Sequence, residues 1–120
     1  MHIPTNISDL TSQQIAAEFG RWADFFSDIS DNPQRLHKEN RSDMGEMRIF
    51  IKALVVRENA SERDYPKKLM QNVFGEIGEI RDALAHYYGK NLYPPADIQG
   101  RILGLHGLLL SLRNQYMKLS

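Results

Sequence analysis

The sequence predicts an all-α fold, a bundle of four helices with room for a fifth. Apolar residues recur at spacings of three and four in several separate stretches, and no stretch shows sustained strand alternation with hairpin turns. The 120 residues suit one helical domain spanning 1–120, long enough to bury a core without a metal or disulfide. Because cysteine is absent, disulfides, thiolate metal sites and cysteine nucleophiles are excluded.

The overall charge is balanced, with 15 Lys and Arg against 15 Asp and Glu. A neutral chain has no global field that recruits nucleic acid or an anionic membrane, so any such contact requires a local patch. The N-terminal residues lack the basic and apolar regions of a signal peptide, and no apolar run approaches the roughly 18 residues of a membrane span. We therefore expect a soluble, cytoplasmic protein.

The first predicted helix begins after Thr11, whose side chain caps it while Gln14 reaches back as the capping-box partner. A polar stretch at 30–43, containing Asn32 and Pro33, interrupts the helical pattern and is predicted to be a connection or a frayed helix start. The core-facing residues predicted for this helix are Ile15, Phe19, Trp22, Phe26 and Ile29.

The second predicted helix runs from about Met44 to Arg57, with Met47, Ile51, Leu54 and Val55 facing inward. The third begins between Ser61 and Pro66 and ends near Gly89. Its predicted core residues are Leu69, Val73, Ile77, Ile80, Leu84 and Tyr87. The fourth opens at the sequence YPPAD, since proline is tolerated in the first turn of a helix.

The fourth helix carries two different faces. One is an apolar stripe of Ile98, Ile102, Leu105, Leu109, Leu112 and Tyr116, and the other is a small-residue stripe of Gly100, Gly104, Gly107 and Ser111. Each glycine inside a helix costs about 1 kcal/mol relative to alanine, so close approach of another backbone is expected to offset this cost. Because the helix is apolar nearly all round, the sequence predicts a homodimer, with packing inside one chain as the alternative.

The end of the third helix holds the candidate site residues Arg81, Asp82, His86 and Tyr88. At about 100° per residue, Arg81 and Tyr88 share one line on the helix, and Asp82 and His86 share another. Glycines between these lines, Gly75 and Gly78, predict a groove floor that a phosphate or a second subunit can approach. Arg81 and His86 lie about 140° apart, so they meet on one ligand only if the helix ends between them or two subunits share the site.

The chemistry that suits these residues is metal-free cleavage of a phosphodiester in RNA. A histidine, with an ordinary pKa near roughly 6.5, can exchange protons with the 2′-hydroxyl or the leaving oxygen at neutral pH. An arginine can grip the phosphate and stabilise the extra charge of the transition state. Asp82 is a candidate to orient His86 or contact a ribose, and Tyr88 to position a phosphate or base. The alternative is that all four are ordinary helix-surface residues.

The segment from Arg81 to Tyr88 resembles the Arg-x4-His motif of HEPN-superfamily ribonucleases, and Tyr88 matches the Arg-x4-His-x-Tyr form of the HepT toxins. Asp82 stands where the family frequently has asparagine. The resemblance implies a dimeric helical bundle that cleaves RNA in a shared cleft with Arg81 and His86, without a metal or other cofactor. It further implies the toxin of a toxin–antitoxin or defence pair, with a nucleotidyltransferase antitoxin that modifies Tyr88.

Other charged residues have weaker assignments. Arg35, Lys38 and Arg41 form a locally basic stretch and are candidates to contact the RNA backbone. A face of Glu79, Asp82 and His86 lacks a second cluster of ligands, so no metal site is expected. His106, in an apolar helix, is expected to be a hydrogen-bonded packing residue rather than a ligand.

A competing hypothesis places the chain among small non-catalytic helical binding proteins: an immunity protein, an antitoxin, a phage-encoded inhibitor or an adaptor. The small size, the neutral charge and the glycine-lined helices suit this class equally well. The glycine faces are then contacts for a protein partner, and Arg81 and His86 are surface residues.

Overall fold

The computed structural model describes residues 1–31, 38–88 and 96–119, with the main chain alone at Lys38, Glu39 and Tyr88. These ranges contain four helices: α1 (Ser12–Asp31), α2 (Lys38–Ser61), α3 (Lys67–Tyr88) and α4 (Ala96–Lys118). No strand is present within those three ranges. The structure therefore confirms the predicted all-α, four-helix bundle.

The capping box at the start of α1 is present as predicted. The main-chain N–H of Gln14 donates to Oγ1 of Thr11 at 3.1 Å, and the Thr11 N–H donates to Oε1 of Gln14 at 2.8 Å. These two bonds satisfy amide groups that the first helical turn leaves unpaired. The predicted core face of α1, namely Ile15, Phe19, Trp22, Phe26 and Ile29, is buried.

Helix α2 is longer than predicted, because it begins at Lys38 rather than near Met44 and ends at Ser61. The sequence of residues 38–43 has no apolar stripe, but Lys, Glu and Arg are good helix formers, and extending an existing helix costs far less than nucleating one. The break predicted at Asn32 and Pro33 lies outside the described residues.

The core faces of the remaining helices lie close to the prediction. In α2, Met47, Ile51 and Leu54 are buried and Val55 is half-buried. The buried residues of α3 and α4 include Val73, Ile77, Ile80, Leu84, Ile102, Leu105, Leu109, Leu112 and Tyr116, while Leu69, Tyr87 and Ile98 are half-buried. Helical periodicity therefore fixes which side of each helix faces the core.

Aromatic rings join α1, α2 and α4 in the centre of this core. The ring centroids of Phe19 and Trp22 are 5.1 Å apart, and Trp22 lies 5.2 Å from Phe50 on α2 in an edge-on arrangement. Phe19 also lies 5.7 Å from the ring of Tyr116 on α4. Aromatic pairs at these separations stabilise a core beyond the area that they bury.

His106 connects α4 to α1 by a hydrogen bond, as the sequence predicted for a packing histidine. Its Nδ1 lies 2.7 Å from the carbonyl oxygen of Ala23. Because a carbonyl oxygen only accepts, Nδ1 must carry the proton and donate it.

A buried carboxylate, Glu58, stabilises one end of the bundle. It is 1% exposed and accepts hydrogen bonds from Arg57 Nε at 3.0 Å, from Arg63 Nε at 2.9 Å and from the Tyr116 hydroxyl at 3.3 Å. Desolvation and the adjacent negative charge of Glu58 raise the pKa of the Tyr116 phenol. This cluster links α2 to α4 and to the loop that precedes α3.

Arg57 extends the same cluster to the N-terminal segment. Its Nη1 donates to the carbonyl oxygens of Ile7 and Leu10, at 2.7 and 2.9 Å. Ile7 is itself buried in the core. The segment that precedes α1 is therefore held against α2 by both polar and apolar contacts.

The small-residue stripe of α4 faces away from the rest of the described chain. Gly100, Gly104, Gly107 and Ser111 are all exposed, and a Cβ added at any of the three glycines meets no described atom within 4 Å. Packing of these glycines against another part of the described chain is therefore not found. Of the explanations drawn from the sequence, contact with a second copy and contact with another protein partner both stay predictions.

We expect Gly104→Ala and Gly107→Ala each to raise the free energy of unfolding by up to about 1 kcal/mol, since the added methyl group has open space and alanine favours the helix. Urea denaturation measures the change, and size-exclusion chromatography with light scattering measures the oligomeric state. A loss of stability together with dissociation of a dimer would show instead that a second copy packs on this face.

A second acid, Glu18 on α1, is 5% exposed and lies beside Arg21, whose Nη2 is 3.1 Å from Oε1. Desolvation raises the pKa of Glu18, and the charges of Arg21 and His2 lower it by less than that. The ionised form of Glu18 is therefore less favourable in the folded protein than in the unfolded chain.

We expect Glu18→Gln to be more stable than wild type at pH 7. The gain should shrink as the pH falls through the raised pKa towards the ordinary value of 4.5, because a protonated Glu18 then resembles glutamine. Denaturant unfolding at pH 7 and at pH 4.5 measures the difference in stability between the variant and wild type, and the exposed Glu46→Gln is the control. If the variant and wild type are equally stable at each pH, or if the variant is less stable at pH 7, the pairing with Arg21 offsets or outweighs desolvation.

Candidate functional site

A groove of about 930 Å³ runs between α2 and α3 and concentrates positive charge in a neutral chain. Its lining includes one carboxylate, that of Glu46, and four cationic side chains, those of Arg41, Arg48, Lys52 and Arg81. This is the kind of local patch that anion binding requires when the net charge is zero.

The groove follows from the way the two helices are packed. Positions 41, 45, 48 and 52 recur at spacings of four and three, so they lie on one face of α2. Positions 74 and 81 are seven residues apart and share one line on α3. Apolar surface lies between the cations, since Phe74 and Ile49 also line the groove and Ile49 is 68% exposed.

The side chain of Arg81 extends from α3 towards α2. A Cβ placed on Gly45 of α2 would lie 3.9 Å from Cζ of Arg81, an ordinary van der Waals contact, so the guanidinium lies against α2 at this position. The Nε of Arg81 is buried and has no hydrogen-bond partner among the described residues. An unpaired buried N–H is costly in a folded protein, so the position of Arg81 is not explained by hydrogen bonding of this atom within the described chain.

Arg48 reaches across the groove in the opposite direction and is held by α3. Its Nε donates to the carbonyl oxygen of Phe74 at 3.3 Å, and its Cζ lies 4.1 Å from the centroid of the Phe74 ring. The guanidinium covers Gly78, where an added Cβ would lie 2.8 Å from Cζ. Neither glycine is the open groove floor that the sequence suggested: Gly78 is covered by the guanidinium, and Gly75 is exposed but does not line the α2–α3 groove.

The cations of the groove have no carboxylate partner in the described chain, whereas most other described arginines have one. Arg21 pairs with Glu18, Arg57 and Arg63 pair with Glu58, and Arg101 pairs with Glu76 and Glu79. In the part of the chain that the structure describes, no carboxylate pairs with Arg41, Arg48, Lys52 or Arg81. Four cations without a carboxylate partner therefore lie together in one groove.

The structure brings some of the predicted site residues together and separates others. Arg81 and Arg41 line the same groove. His86 has an exposed ring that stands edge-on to Tyr87 at 5.2 Å, and it is not among the groove residues; Asp82 is exposed as well. Arg81 and His86 therefore do not converge within one chain, as their angular separation on the helix implied.

Three predicted positions lie outside what the structure describes. These are Arg35 and the side chains of Lys38 and Tyr88.

Sequence reasoning missed Arg48 and Lys52, which line the groove beside Arg41. Their spacing from Arg41, seven and eleven residues, was the available signal for a shared cationic face. Detecting that face required the helix to start at Lys38, six residues earlier than predicted.

The described residues contain no group of three His, Asp or Glu side chains arranged to hold a metal ion. None of the described helices combines the length and apolar character needed to cross a membrane. Comparison of the sequence and the structure with family models, curated proteins and solved structures finds no match.

We expect Arg81→Met to leave the free energy of unfolding unchanged or to raise it by about 1 kcal/mol, because methionine fills similar space and removes an unpaired buried N–H. Arg57→Met is the matched control and should lower it by about 3 kcal/mol, since Arg57 pairs with the buried Glu58. Urea denaturation measures both. Equal destabilisation by the two changes would contradict the view that Arg81 is kept for a ligand.

Proposed function

We propose that the chain is a metal-independent endoribonuclease of the HEPN type, in which the α2–α3 groove binds the RNA backbone. The supporting observation is that Arg81, the arginine of the motif, lines a groove whose cations have no carboxylate partners in the described chain. A guanidinium in such a place can donate to phosphate oxygens and stabilise the charge that develops during cleavage.

In this proposal His86 transfers the protons. The 2′-oxygen forms a bond to phosphorus as it loses its proton, the bond from phosphorus to the 5′-oxygen breaks, and the leaving oxygen gains a proton. Because His86 is exposed and lies outside the groove of its own chain, the proposal places it against Arg81 of a second copy. The active form is therefore a homodimer.

The biological role that accompanies this activity is that of a toxin or defence protein. A nucleotidyltransferase antitoxin would transfer a nucleoside monophosphate from a nucleoside triphosphate to the hydroxyl of Tyr88, two residues after His86. The bond from the α-phosphorus to the pyrophosphate oxygen breaks, pyrophosphate leaves, and the phenol loses its proton. The added phosphate would place negative charge beside the catalytic histidine and repel the RNA backbone.

One observation favours the second candidate, a non-catalytic binding protein. Ile49 and Val56 lie seven residues apart on one line of α2 and are 68% and 66% exposed. Large exposed apolar side chains in a row are typical of contacts with a protein partner. In that case an acidic partner would bind along α2, with the cations of the groove at its edge.

Cleavage of RNA by the purified protein in EDTA tests the proposed function. We expect wild type to cut, and His86→Ala and Arg81→Met each to reduce the rate by about 100-fold or more, since one group transfers protons and the other stabilises charge. His2→Ala, which removes another exposed histidine, should cut like wild type.

An inert wild type, or variants that cut at the wild-type rate with the same oligomeric state, would overturn the ribonuclease proposal. Folding of each variant is checked by circular dichroism, so that a lost activity is not a lost fold.

A further inference from the structure

Arg48 is outside the sequence motif, yet it is the most firmly held cation of the groove. Its Nε is bonded to the Phe74 carbonyl oxygen, and its guanidinium lies over the Phe74 ring and over Gly78. Its Nη1 and Nη2 groups donate to no described residue. The side chain is fixed on one side by α3 and keeps two donor groups for something else.

Fixing a surface arginine costs side-chain entropy in the free protein, and it reduces the entropy that is lost when a ligand binds. Arginine has a long side chain with much rotamer freedom, which is lost when it binds a ligand. When the protein has already restricted the side chain, less freedom remains to be lost on binding, and the planar fork is presented in a defined direction.

We propose that Arg48 is a second phosphate-binding residue of the α2–α3 groove, presented by Phe74 and Gly78, and that it binds the same RNA strand as Arg81. The inference rests on the proposed function in taking RNA as the ligand. The guanidinium of Arg48 lies over Gly78 on α3, and that of Arg81 lies beside Gly45 on α2, one turn of α2 from Arg48 itself. Both line the same groove, so one strand can contact both. Phe74 and Gly78 are positioning residues, since they act through Arg48.

Gly78 allows the position of the guanidinium to be changed without removing any charge. A Cβ at residue 78 would lie 2.8 Å from Cζ of Arg48, so Gly78→Ala must displace the guanidinium. The displaced atoms are the far end of a flexible side chain, and the fold is therefore retained. Gly75, one turn earlier on α3, has open space and provides the matched control.

The test measures binding of a short fluorescein-labelled single-stranded RNA by fluorescence anisotropy, over a series of salt concentrations in EDTA. All proteins carry His86→Ala, so that the RNA is not consumed. Arg48→Gln should lower the slope of log affinity against log salt by about 0.7, and the affinity at about 0.1 M salt by about fivefold, as expected for one lost phosphate contact. Lys118→Gln, at the end of α4, should change neither quantity.

Gly78→Ala should weaken binding although it keeps all charges, whereas Gly75→Ala should bind like the parent protein. This difference is not expected if Arg48 contributes only to the general positive field, because both variants have the same charge. It is also not expected from a helix-propensity effect, since both replace a glycine of α3 by alanine.

The inference is overturned if Arg48→Gln leaves the salt slope unchanged, if Gly78→Ala and Gly75→Ala bind equally, or if the parent protein does not bind RNA. Cleavage that depends on Arg81 and His86 would leave the proposed function standing in the first two cases. If binding depends on Arg48 but the wild-type protein does not cleave RNA, the inference is supported and the ribonuclease proposal is overturned.

Discussion

The burial of one apolar face on each helix determines the rotation of α2 and α3, and the groove depends on that rotation. Burying a side chain such as Ile51, Leu54 or Ile77 stabilises the fold by about 1.5–3 kcal/mol each. No comparable force acts on the cations of the groove, which repel one another. The core therefore decides the geometry, and Arg48 and Arg81 line one groove because their neighbours in sequence are buried.

Glycine has opposite consequences at different positions of the same fold. At Gly78 the guanidinium of Arg48 occupies the space of the missing side chain, whereas at Gly45 a Cβ would make only an ordinary contact with Arg81. At Gly104 and Gly107 nothing in the described chain uses the space, so the helix carries the full propensity cost there. A glycine in a helix thus marks a close contact only when a neighbouring element supplies the group that fills it.

The parts of the fold that sequence could predict are those determined by neighbours along the chain. The capping box at Thr11 and the core stripes of α1, α3 and α4 rest on spacings within one helix, and the structure has them where the pattern indicates. The start of α2 could not be read in this way, because residues 38–43 have no apolar stripe and their helix is an extension of one that is stabilised further along.

The candidate site was less accessible to prediction because it is made between helices. A helical wheel correctly separated Arg81 from His86, but it could not show that Arg48 of another helix lies over Gly78. That contact depends on a long side chain crossing to a neighbouring element, and no periodicity within α3 encodes it. The same reasoning explains why Arg41 was assigned to a basic connection rather than to the groove that it shares with Arg81.

The neutral composition of the chain conceals how its charges are arranged. Acidic side chains outside the groove, including Glu18, Glu58, Glu76 and Glu79, are paired with arginines that do not line it. Those pairs cancel locally, and the field of the remaining cations extends only about one Debye length, roughly 8 Å at physiological salt. A ligand therefore experiences the combined charge of Arg41, Arg48, Lys52 and Arg81 only close to the groove, where the fixed donors of Arg48 lie. A net charge of zero means that a charged ligand is not attracted at long range. It does not prevent binding by cations that the ligand contacts directly.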